Sequence, residues 1–301
     1  MQNKKETIFA LSSGYGKSAT ALIRLSGPKA YQIIKKISSN MPTKPNLSQL
    51  NKIIDGDGEV IDKTLTTFFK SPKSFTGEDM VEISFHGSNA VIKKIIQVLG
   101  TKENARLANP GEFTRRAFEN NKLDLTQVEA ISDIVNAETE MQRKQAIEHL
   151  SGSFFKSTKK IFDDLKKTLA NIEAAIDFVD EELPKNLLSK IKEQIENNIF
   201  LIEEMLKNSS SGISIRDGFS VVILGDPNSG KSSFINYISK KDIAIVTSTP
   251  GTTRDLIESF IDLQGYPVKF IDTAGIRKSS NKIEKIGIKK AYKVSKNADI
   301  N

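Results

Sequence analysis

An apolar run at 219–224 leads directly into a loop that reads G-x-x-x-x-G-K-S, from Gly225 to Ser232. A buried strand, a glycine-rich turn and a following helix direct backbone N–H groups and the positive end of the helix dipole at one point, which suits a polyphosphate. Lys231 would reach the β- and γ-phosphates, and the Ser232 hydroxyl would coordinate Mg²⁺. This feature predicts a P-loop domain of the α/β class, which we place at 215–301.

Other segments carry parts of nucleotide-binding motifs outside the required setting. Gly-Lys-Ser recurs within 14–18, but the first glycine is replaced by Leu11 and a strand-like run follows. Residues 121–124 read Asn-Lys-x-Asp, the guanine-reading motif, yet they precede the phosphate loop, whereas a base-reading loop follows a later strand. Residues 281–284 read Asn-Lys-x-Glu, but they come only a few residues after the Asp-Thr-Ala-Gly motif at 272–275, with no strand between the two. We therefore expect no base pocket at these segments.

The composition restricts the kinds of site. The 301 residues include no cysteine and only two histidines, His86 and His149, which excludes disulfides and thiolate metal sites and disfavours a histidine metal cluster. No apolar run approaches about 18 residues, and no signal-peptide core follows the N-terminus, so we expect a cytoplasmic protein without membrane contact. The net charge of +7 favours anionic partners such as RNA or nucleotides, although a solvated lysine-rich surface explains it equally well.

The first two-thirds of the chain change periodicity near residue 118. Up to that point strand-like and helical runs alternate, which predicts a compact α+β domain at 1–118. Strands are predicted at 19–25, 64–69 and 80–85, and helices at 28–37, 88–99 and 113–120. From 119 to 214 apolar residues recur every three or four positions, as in the seams of a helical bundle. Residues 208–212, Asn-Ser-Ser-Ser-Gly, are predicted to end its last helix.

The P-loop domain continues with two more strands, predicted at 256–262 and 267–272. A tight turn at Gln264 and Gly265 makes them an antiparallel hairpin, the arrangement of Ras-like GTPases. Residues 298–300 resemble the opening of a further strand, so we expect about half of a normal nucleotide domain to be missing from this chain. On this interpretation the strand at 219–224 has one unpaired edge.

Two further motifs complete a triphosphate site. Residues 272–275 read Asp-Thr-Ala-Gly, in which Asp272 can hold Mg²⁺ through a water and the Gly275 N–H can meet the γ-phosphate. Residues 250–255 read Pro-Gly-Thr-Thr-Arg-Asp and can close over the γ-phosphate. Ile276 replaces the water-orienting glutamine of Ras-type enzymes, and the amide oxygen of Asn228 could coordinate a monovalent cation. The motifs predict a GTPase-type site; the alternative is a similar fold that has lost nucleotide.

A series of short motifs, in order along the whole chain, resembles the MnmE (TrmE) family of tRNA-modification GTPases. They are Leu-Ser-Gly at 25–27, Ser-Phe-Thr-Gly-Glu-Asp at 74–79, His-Gly at 86–87, Asn-Pro-Gly-Glu-Phe at 109–113, Lys-Leu-Asp-Leu at 122–125, Glu-Ala-Ala-Ile-Asp-Phe at 173–178, the phosphate loop, Gly-Thr-Thr-Arg-Asp at 251–255, Asp-Thr-Ala-Gly at 272–275 and Ile-Gly-Ile at 286–288. The resemblance implies a multidomain α+β and α/β protein. Its parts would be a tetrahydrofolate-binding and dimerisation domain (1–118), a helical bundle domain (119–214) and a partial Ras-like G domain (215–301).

The resemblance also assigns site residues. The folate contacts fall on Arg24, Glu82 and Lys122, each of which would otherwise read as an ordinary surface charge. Catalysis falls on Lys231 and on Glu284, which positions water indirectly. The GTP contacts are Asn228, Ser229, Gly230, Lys231, Ser232, Ser233, Thr247, Ser248, Thr249, Pro250, Gly251, Thr252, Thr253, Asp272, Thr273, Ala274 and Gly275. The metal ligands are Ser232 and Thr253 for Mg²⁺, and Asn228, Thr247, Thr249 and Thr252 for K⁺.

The function implied by the resemblance is a joint action with the flavoprotein MnmG, as a homodimer within a heterotetramer. The two proteins would build a carboxymethylaminomethyl or aminomethyl group at C5 of the wobble uridine of certain tRNAs. The one-carbon unit would come from 5,10-methylenetetrahydrofolate, for which 5-formyltetrahydrofolate is an analogue, while GTP hydrolysis drives conformational change. The family's guanine-reading motif, the remainder of its helical domain and its C-terminal Cys-Ile-Gly-Lys are not in this chain.

Two alternatives stay open at the level of sequence. The chain could be a non-catalytic, folate-binding dimerisation fragment, since its first domain is intact and its G domain is partial. It could also be a ribosome-assembly GTPase, which shares the nucleotide site but does not account for the first 120 or so residues.

Overall fold

The computed structural model describes residues 6–177, 186–224, 229–241, 244–245, 257–272, 295–296 and 298–300. The chain divides into two compact units, Met1–Val128 and Glu129–Asn301. The boundaries of the three domains expected from the sequence stay a prediction. No helix within the described ranges combines the length and apolar character that a bilayer crossing requires.

The first unit is built on a sheet with the strand order β3-β4-β5-β2-β1-β6 among its described residues. Neighbouring strands are antiparallel except β1 and β6, which are parallel. The strands are β1 (Thr7–Leu11), β2 (Ser18–Ser26), β3 (Ser48–Ile54), β4 (Val60–Phe69), β5 (Met80–Gly87) and β6 (Ala105–Leu107). The predicted strands at 19–25, 64–69 and 80–85 are thereby confirmed, whereas β1, β3 and β6 were not predicted from the sequence.

Helices α1 (Ala30–Ile37) and α2 (Asn89–Gly100) contribute the apolar residues that meet this sheet, and α3 (Glu112–Glu119) follows β6. Alternate residues of β2 and β5 point into the core because side chains of a strand alternate between its two faces. The core combines Ile23, Leu25 and Ile83 with Ile34 and Ile37 of α1 and Ile92, Ile95 and Leu99 of α2. All three helices confirm the sequence prediction within two residues at each end.

The second unit contains two long helices whose sequence periodicity was clear, α6 (Ser153–Asp177) and α7 (Leu187–Asp217). The shorter α5 (Glu140–Leu150) precedes them, and α4 (Leu125–Asn136) crosses the division between the units. A capping box opens α5, because the Thr139 hydroxyl accepts from the Gln142 N–H and the Gln142 side chain accepts from the Thr139 N–H. This helix was not predicted, since apolar residues are sparse along it.

The predicted end of the last helix at 208–212 is wrong. Helix α7 continues without a break through this serine-rich segment to Asp217. Two glutamines of α5 donate to its carbonyl oxygens, Gln145 to Gly212 at 3.1 Å and Gln142 to Arg216 at 2.9 Å. Packing against a neighbouring helix outweighs the cost of placing serine and glycine in a helix, which is at most about 1 kcal/mol per residue relative to alanine.

A second sheet follows α7, with the described order β7-β10-β9-β8. Its elements are β7 (Phe219–Ile223), α8 (Lys231–Lys241), β8 (Ala244–Ile245), β9 (Ile257–Leu263) and β10 (Tyr266–Asp272). Strand β10 is parallel to β7 and antiparallel to β9. The predicted hairpin is confirmed: Gln264 and Gly265 both have positive φ, as a tight hairpin turn requires. The Gly265 carbonyl accepts from the Met141 N–H at the start of α5, at 3.0 Å.

The other edge of β7 is also occupied. Ile300 forms a parallel bridge with Val221, and its N–H donates to the Ser220 carbonyl at 3.1 Å. The Asp299 carboxylate accepts from the backbone N–H and the hydroxyl of Ser220, which lowers the pKa of Asp299. Ile300 therefore pairs with β7 through one isolated bridge, while the strand predicted at 298–300 stays a prediction, and the expectation that this edge is unpaired is wrong at Val221.

Candidate functional site

The end of the phosphate loop lies between β7 and α8. Gly230 has a φ of +89°, and a Cβ placed on it would meet no described atom within 4 Å. The first helical hydrogen bond runs from the Phe234 N–H to the Gly230 carbonyl at 2.8 Å. Lys231 opens the helix with only 9% of its surface exposed, and its Nζ donates to the Ser229 hydroxyl at 3.3 Å. A glycine at positive φ, a helix N-terminus and an ammonium thus meet at one place, which suits an anion.

The register of the second sheet brings two of the predicted motifs to the same edge. Asp272 at the end of β10 is the register partner of Ile223 at the end of β7. Because the two strands are parallel, the loop after β7 and the segment after β10 both leave from their carboxyl ends, where α/β sheets bind ligands. The described strand ends that precede the predicted phosphate loop and begin the predicted Mg²⁺ motif, Ile223 and Asp272, are therefore side by side.

The rest of the predicted nucleotide site is described only in part. Ser233 is exposed on α8, and only the backbone of Ser232 and Asp272 is described. Outside the described residues lie Asn228, Thr247, Ser248, Thr249, Pro250, Gly251, Thr252, Thr253, Thr273, Ala274, Gly275 and Glu284. In the part of the chain that is described, histidine and acidic side chains form no group of three that could hold a metal ion. The ligands assigned to Mg²⁺ and K⁺ stay predictions.

In the first unit, Arg24 and Glu82 face each other across β2 and β5. They are register partners, and the Arg24 Nε donates to the Glu82 Oε1 at 2.7 Å. Ile23 and Leu25 on either side of Arg24 are buried in the core, so the pair stands on the opposite face of the sheet. Lys122, the third predicted folate contact, donates from Nζ to the Pro72 carbonyl at 3.1 Å. The three residues flank one segment, 72–79, which we call the 72–79 loop.

A charged network beside this loop was not predicted from the sequence. The Glu112 carboxylate accepts a bidentate pair of hydrogen bonds from Arg106 at 2.7 and 2.8 Å, and one from Arg116 at 3.1 Å. The pKa of Glu112 is lowered to about 2, chiefly by the hydrogen bonds from Arg106 and further by those from the Asn109 N–H and Arg116. These bonds outweigh burial, which by itself raises the pKa. Arg116 also donates to Glu78 of the 72–79 loop at 3.0 Å. The network fixes α3 against the loop.

The misplaced nucleotide motifs have structural roles, as expected. Asp124, the aspartate of the segment 121–124, accepts from the Thr126 hydroxyl at 2.6 Å and the Gln127 N–H at 2.9 Å at the start of α4. Residues 14–18 form a turn with Gly16 at positive φ, and β2 begins at Ser18.

Comparison with known proteins assigns both units to the same kind of protein. A family model described as "GTP-binding protein TrmE N-terminus" matches residues 7–122, and one described as "MnmE helical domain" matches residues 125–298. The tRNA modification GTPase MnmE of Pelagibacter ubique is 44% identical over 296 residues, which cover 98% of this chain and 67% of that protein.

Two further relatives carry the same name. The tRNA modification GTPase MnmE of Neorickettsia sennetsu is 45% identical over 98% of this chain and 53% of its own length. That of Rhodopseudomonas palustris is 42% identical over 100% of this chain and 67% of its own length. The chain therefore spans between about half and two thirds of the length of these relatives.

Proposed function

Since this chain belongs to the MnmE family of tRNA modification GTPases, we propose that it binds and hydrolyses GTP as its part in modifying tRNA. The observation that carries the proposal is the end of the phosphate loop, where Gly230 and Lys231 stand at the carboxyl edge of β7 beside the end of β10. The backbone N–H groups there and the Lys231 ammonium would grip the β- and γ-phosphates.

The remaining chemistry is distributed over named residues. Ser232 and Thr253 would hold Mg²⁺, with Asp272 nearby, and Asn228, Thr247, Thr249 and Thr252 would hold K⁺. The positive φ of Gly230 and the helix start at Lys231 fit a triphosphate carrying such ions. When bound, the two cations supply positive charge to the phosphate oxygens. Glu284 would position the attacking water indirectly, because Ile276 has no polar group to do so.

We assign the first unit to the one-carbon donor. Arg24, Glu82 and Lys122 would bind 5,10-methylenetetrahydrofolate, and GTP-driven motion would support C5 modification of the wobble uridine with MnmG. The assembly would be a homodimer that joins MnmG in the cytoplasm. Two observations support this assignment: Arg24 pairs with Glu82 and has its Cζ 6.0 Å from the Phe75 ring of the 72–79 loop, and Lys122 donates to the Pro72 carbonyl of the same loop.

The proposal is tested by titration calorimetry, in which GTP is added to the chain in the presence of Mg²⁺ and the heat of binding is measured. We expect Lys231→Ala to weaken binding roughly 10- to 100-fold, the effect of losing a charge-assisted contact. Lys17→Ala is a matched control, since Lys17 occupies the same Gly-Lys-Ser tripeptide in the turn before β2, and it should leave the affinity unchanged. No heat from the unsubstituted chain would refute the proposal. Equal GTP turnover in Na⁺ and in K⁺ would refute the roles of Asn228 and Thr252.

A second candidate function is folate binding and dimerisation without catalysis. The pairing of Arg24 with Glu82, together with the hydrogen bond from Lys122 to the 72–79 loop, favours it independently of the nucleotide site. A chain that binds 5-formyltetrahydrofolate and shows no detectable binding of GTP would favour this function over the first.

A further inference from the structure

An open groove of about 560 Å³ lies where α5, α6 and α7 meet in the second unit. Its lining includes His149 near the end of α5, Ser153, Phe154 and Ser157 in the first turns of α6, and Ile215 near the end of α7. We call it the α5–α6 groove. Its volume is within the range of about 300–1,000 Å³ that is typical of ligand sites, which are often found between the helices of a bundle. None of the residues assigned to GTP or to folate belongs to this described lining.

The groove presents an aromatic surface and acceptor oxygens side by side. The rings of His149 and Phe154 are in contact, with centroids 5.9 Å apart and planes at 43°, and Phe154 is 44% exposed. The Ser153 hydroxyl donates to the Glu148 carbonyl at 3.0 Å, and the Ser157 hydroxyl donates to the Ser153 carbonyl at 3.3 Å. Because both hydroxyl protons are used by the backbone, the two oxygens are left as acceptors. A flat base stacks on such a surface, and its amino groups or a ribose 2′-hydroxyl donate to such oxygens.

Positive charge continues from the groove along α6. Since an α-helix has about 3.6 residues per turn, Lys156 and Lys160 share a face with Ser153 and Ser157. Both lysines are exposed, and neither forms an ion pair with a residue in the described ranges. On the α5 side, Lys144 also lines the groove. Ammonium groups therefore accompany the aromatic surface and extend past it, which suits a chain of phosphates.

We propose that the α5–α6 groove binds RNA: an unpaired base stacks on Phe154, and Lys144, Lys156 and Lys160 hold the neighbouring phosphates. The inference rests on the proposed role in tRNA modification and adds to it the surface that meets the RNA. An RNA fits better than a small anion, because the lysines continue along α6 and can meet successive phosphates. The exposed carboxylate of Glu148, which also lines the groove, can accept from the amino group of a base.

The first test measures the binding of a fluorescently labelled RNA stem-loop by anisotropy at a series of salt concentrations. Lys156→Ala combined with Lys160→Ala should weaken binding about tenfold. It should also lower the slope of the logarithm of the association constant against that of the salt concentration by about 1.5, the value for two phosphate contacts. Lys159→Ala combined with Lys166→Ala is the matched control, because these exposed lysines lie on the side of α6 turned away from the groove. Equal losses in the two double variants would show a diffuse attraction to charge and would overturn the inference.

The second test concerns the stacked base. Phe154→Leu should weaken binding of the stem-loop about tenfold, since stacking of one base on an aromatic side chain contributes roughly that factor. Phe155→Leu is its control, because Phe155 is exposed to a similar extent, 39% against 44%, but is not part of the described lining of the groove. A blunt RNA duplex has no unpaired base and should bind equally well to Phe154→Leu and to the unsubstituted chain. No loss in Phe154→Leu, or the same loss with the duplex, would overturn the inference.

These outcomes are separate from those of the GTP titration. A chain that binds GTP but not the RNA stem-loop would refute the RNA groove and leave the GTPase function in place. A chain that binds the stem-loop through the groove and gives no heat with GTP would refute the GTPase function and leave the groove in place.

Discussion

In the first sheet the candidate ligand-binding residues project from the middle of paired strands, whereas in the second sheet they follow the ends of strands. Arg24 and Glu82 are set by the register of β2 and β5, which the core beneath them holds in place. Lys231 and Asp272 are set by where β7 and β10 stop. A site on strands is largely formed by the fold itself, while a site on loops depends on local sequence for its geometry.

The two sheets also differ in the core that supports them. Fully buried side chains from four strands and two helices form one continuous cluster in the first unit. The second sheet has a described cluster of Ile235, Ile261, Val268 and Phe270, with few partly buried neighbours. Since the loss on removing a core side chain grows with the cavity left behind, the first sheet should be the more sensitive to such changes.

The largest predicted effect compares a core isoleucine in each sheet. Ile83→Ala in β5 should cost about 4 kcal/mol of unfolding free energy, because its closely packed surroundings keep the cavity open. Ile261→Ala in β9 should cost about 2 kcal/mol, because a small cluster relaxes more easily. Hydrogen exchange of the β5 and β9 amides measures the two losses separately. A larger loss at Ile261 would contradict the comparison.

The charged network of the first unit should matter nearly as much. Glu112→Gln leaves the guanidinium groups of Arg106 and Arg116 without their shared carboxylate, which should cost about 3 kcal/mol. Glu119→Gln is the control, since Glu119 forms an exposed ion pair with Arg115 on the same helix and should cost at most about 0.5 kcal/mol. Urea unfolding checks both; similar losses would show that the buried network is no stronger than a surface pair.

Acid should weaken the first unit through the same carboxyl. The pKa of Glu112 is about 2 in the folded chain, below its ordinary value of 4.5, and only 6% of the side chain is exposed. Its contribution is therefore complete above pH 4.5 and is lost as the pH falls towards 2, on the order of 2–3 kcal/mol in all. Urea unfolding at a series of pH values should show this slope, and Glu112→Gln should flatten it. An unchanged slope would assign the acid sensitivity to other groups.

The sequence predicted the elements that follow the ordinary burial pattern and missed those that do not. Strands β2 and β5 bury their apolar residues and were found. In β3 the pattern is inverted, since Leu50 is exposed and Asn51 is buried, where its Oδ1 accepts from the N–H groups of Asn40 and Lys52. Helix α5 relies on its capping box and not on an apolar stripe. Tertiary contacts of this kind leave no periodic signal.

The same contrast separates the two candidate sites. The phosphate loop is contiguous, so its residues could be named with their chemistry from spacing alone. Arg24 and Glu82 are 58 positions apart and become a pair only through strand register. The Glu112 network could not be found from spacing, because Arg106, Glu112 and Arg116 interact only once the fold has brought them together. The tripeptide at 16–18 and the tetrapeptide at 121–124 show the converse: matching letters do not make a nucleotide-binding motif without the setting.

The smallest predicted effect tests how far the second sheet depends on local backbone geometry. Gly265→Ala should cost about 1 kcal/mol, because its φ of +91° strains a residue with a Cβ, while the nearest atom to that Cβ, Glu140 Cβ, lies at an ordinary 3.7 Å. Gly212→Ala in α7 should be neutral or stabilise by up to about 1 kcal/mol, since its Cβ meets only the movable end of Gln145. Urea unfolding compares the two. Equal losses would mean that packing between elements, and not turn conformation, limits the stability of the second sheet.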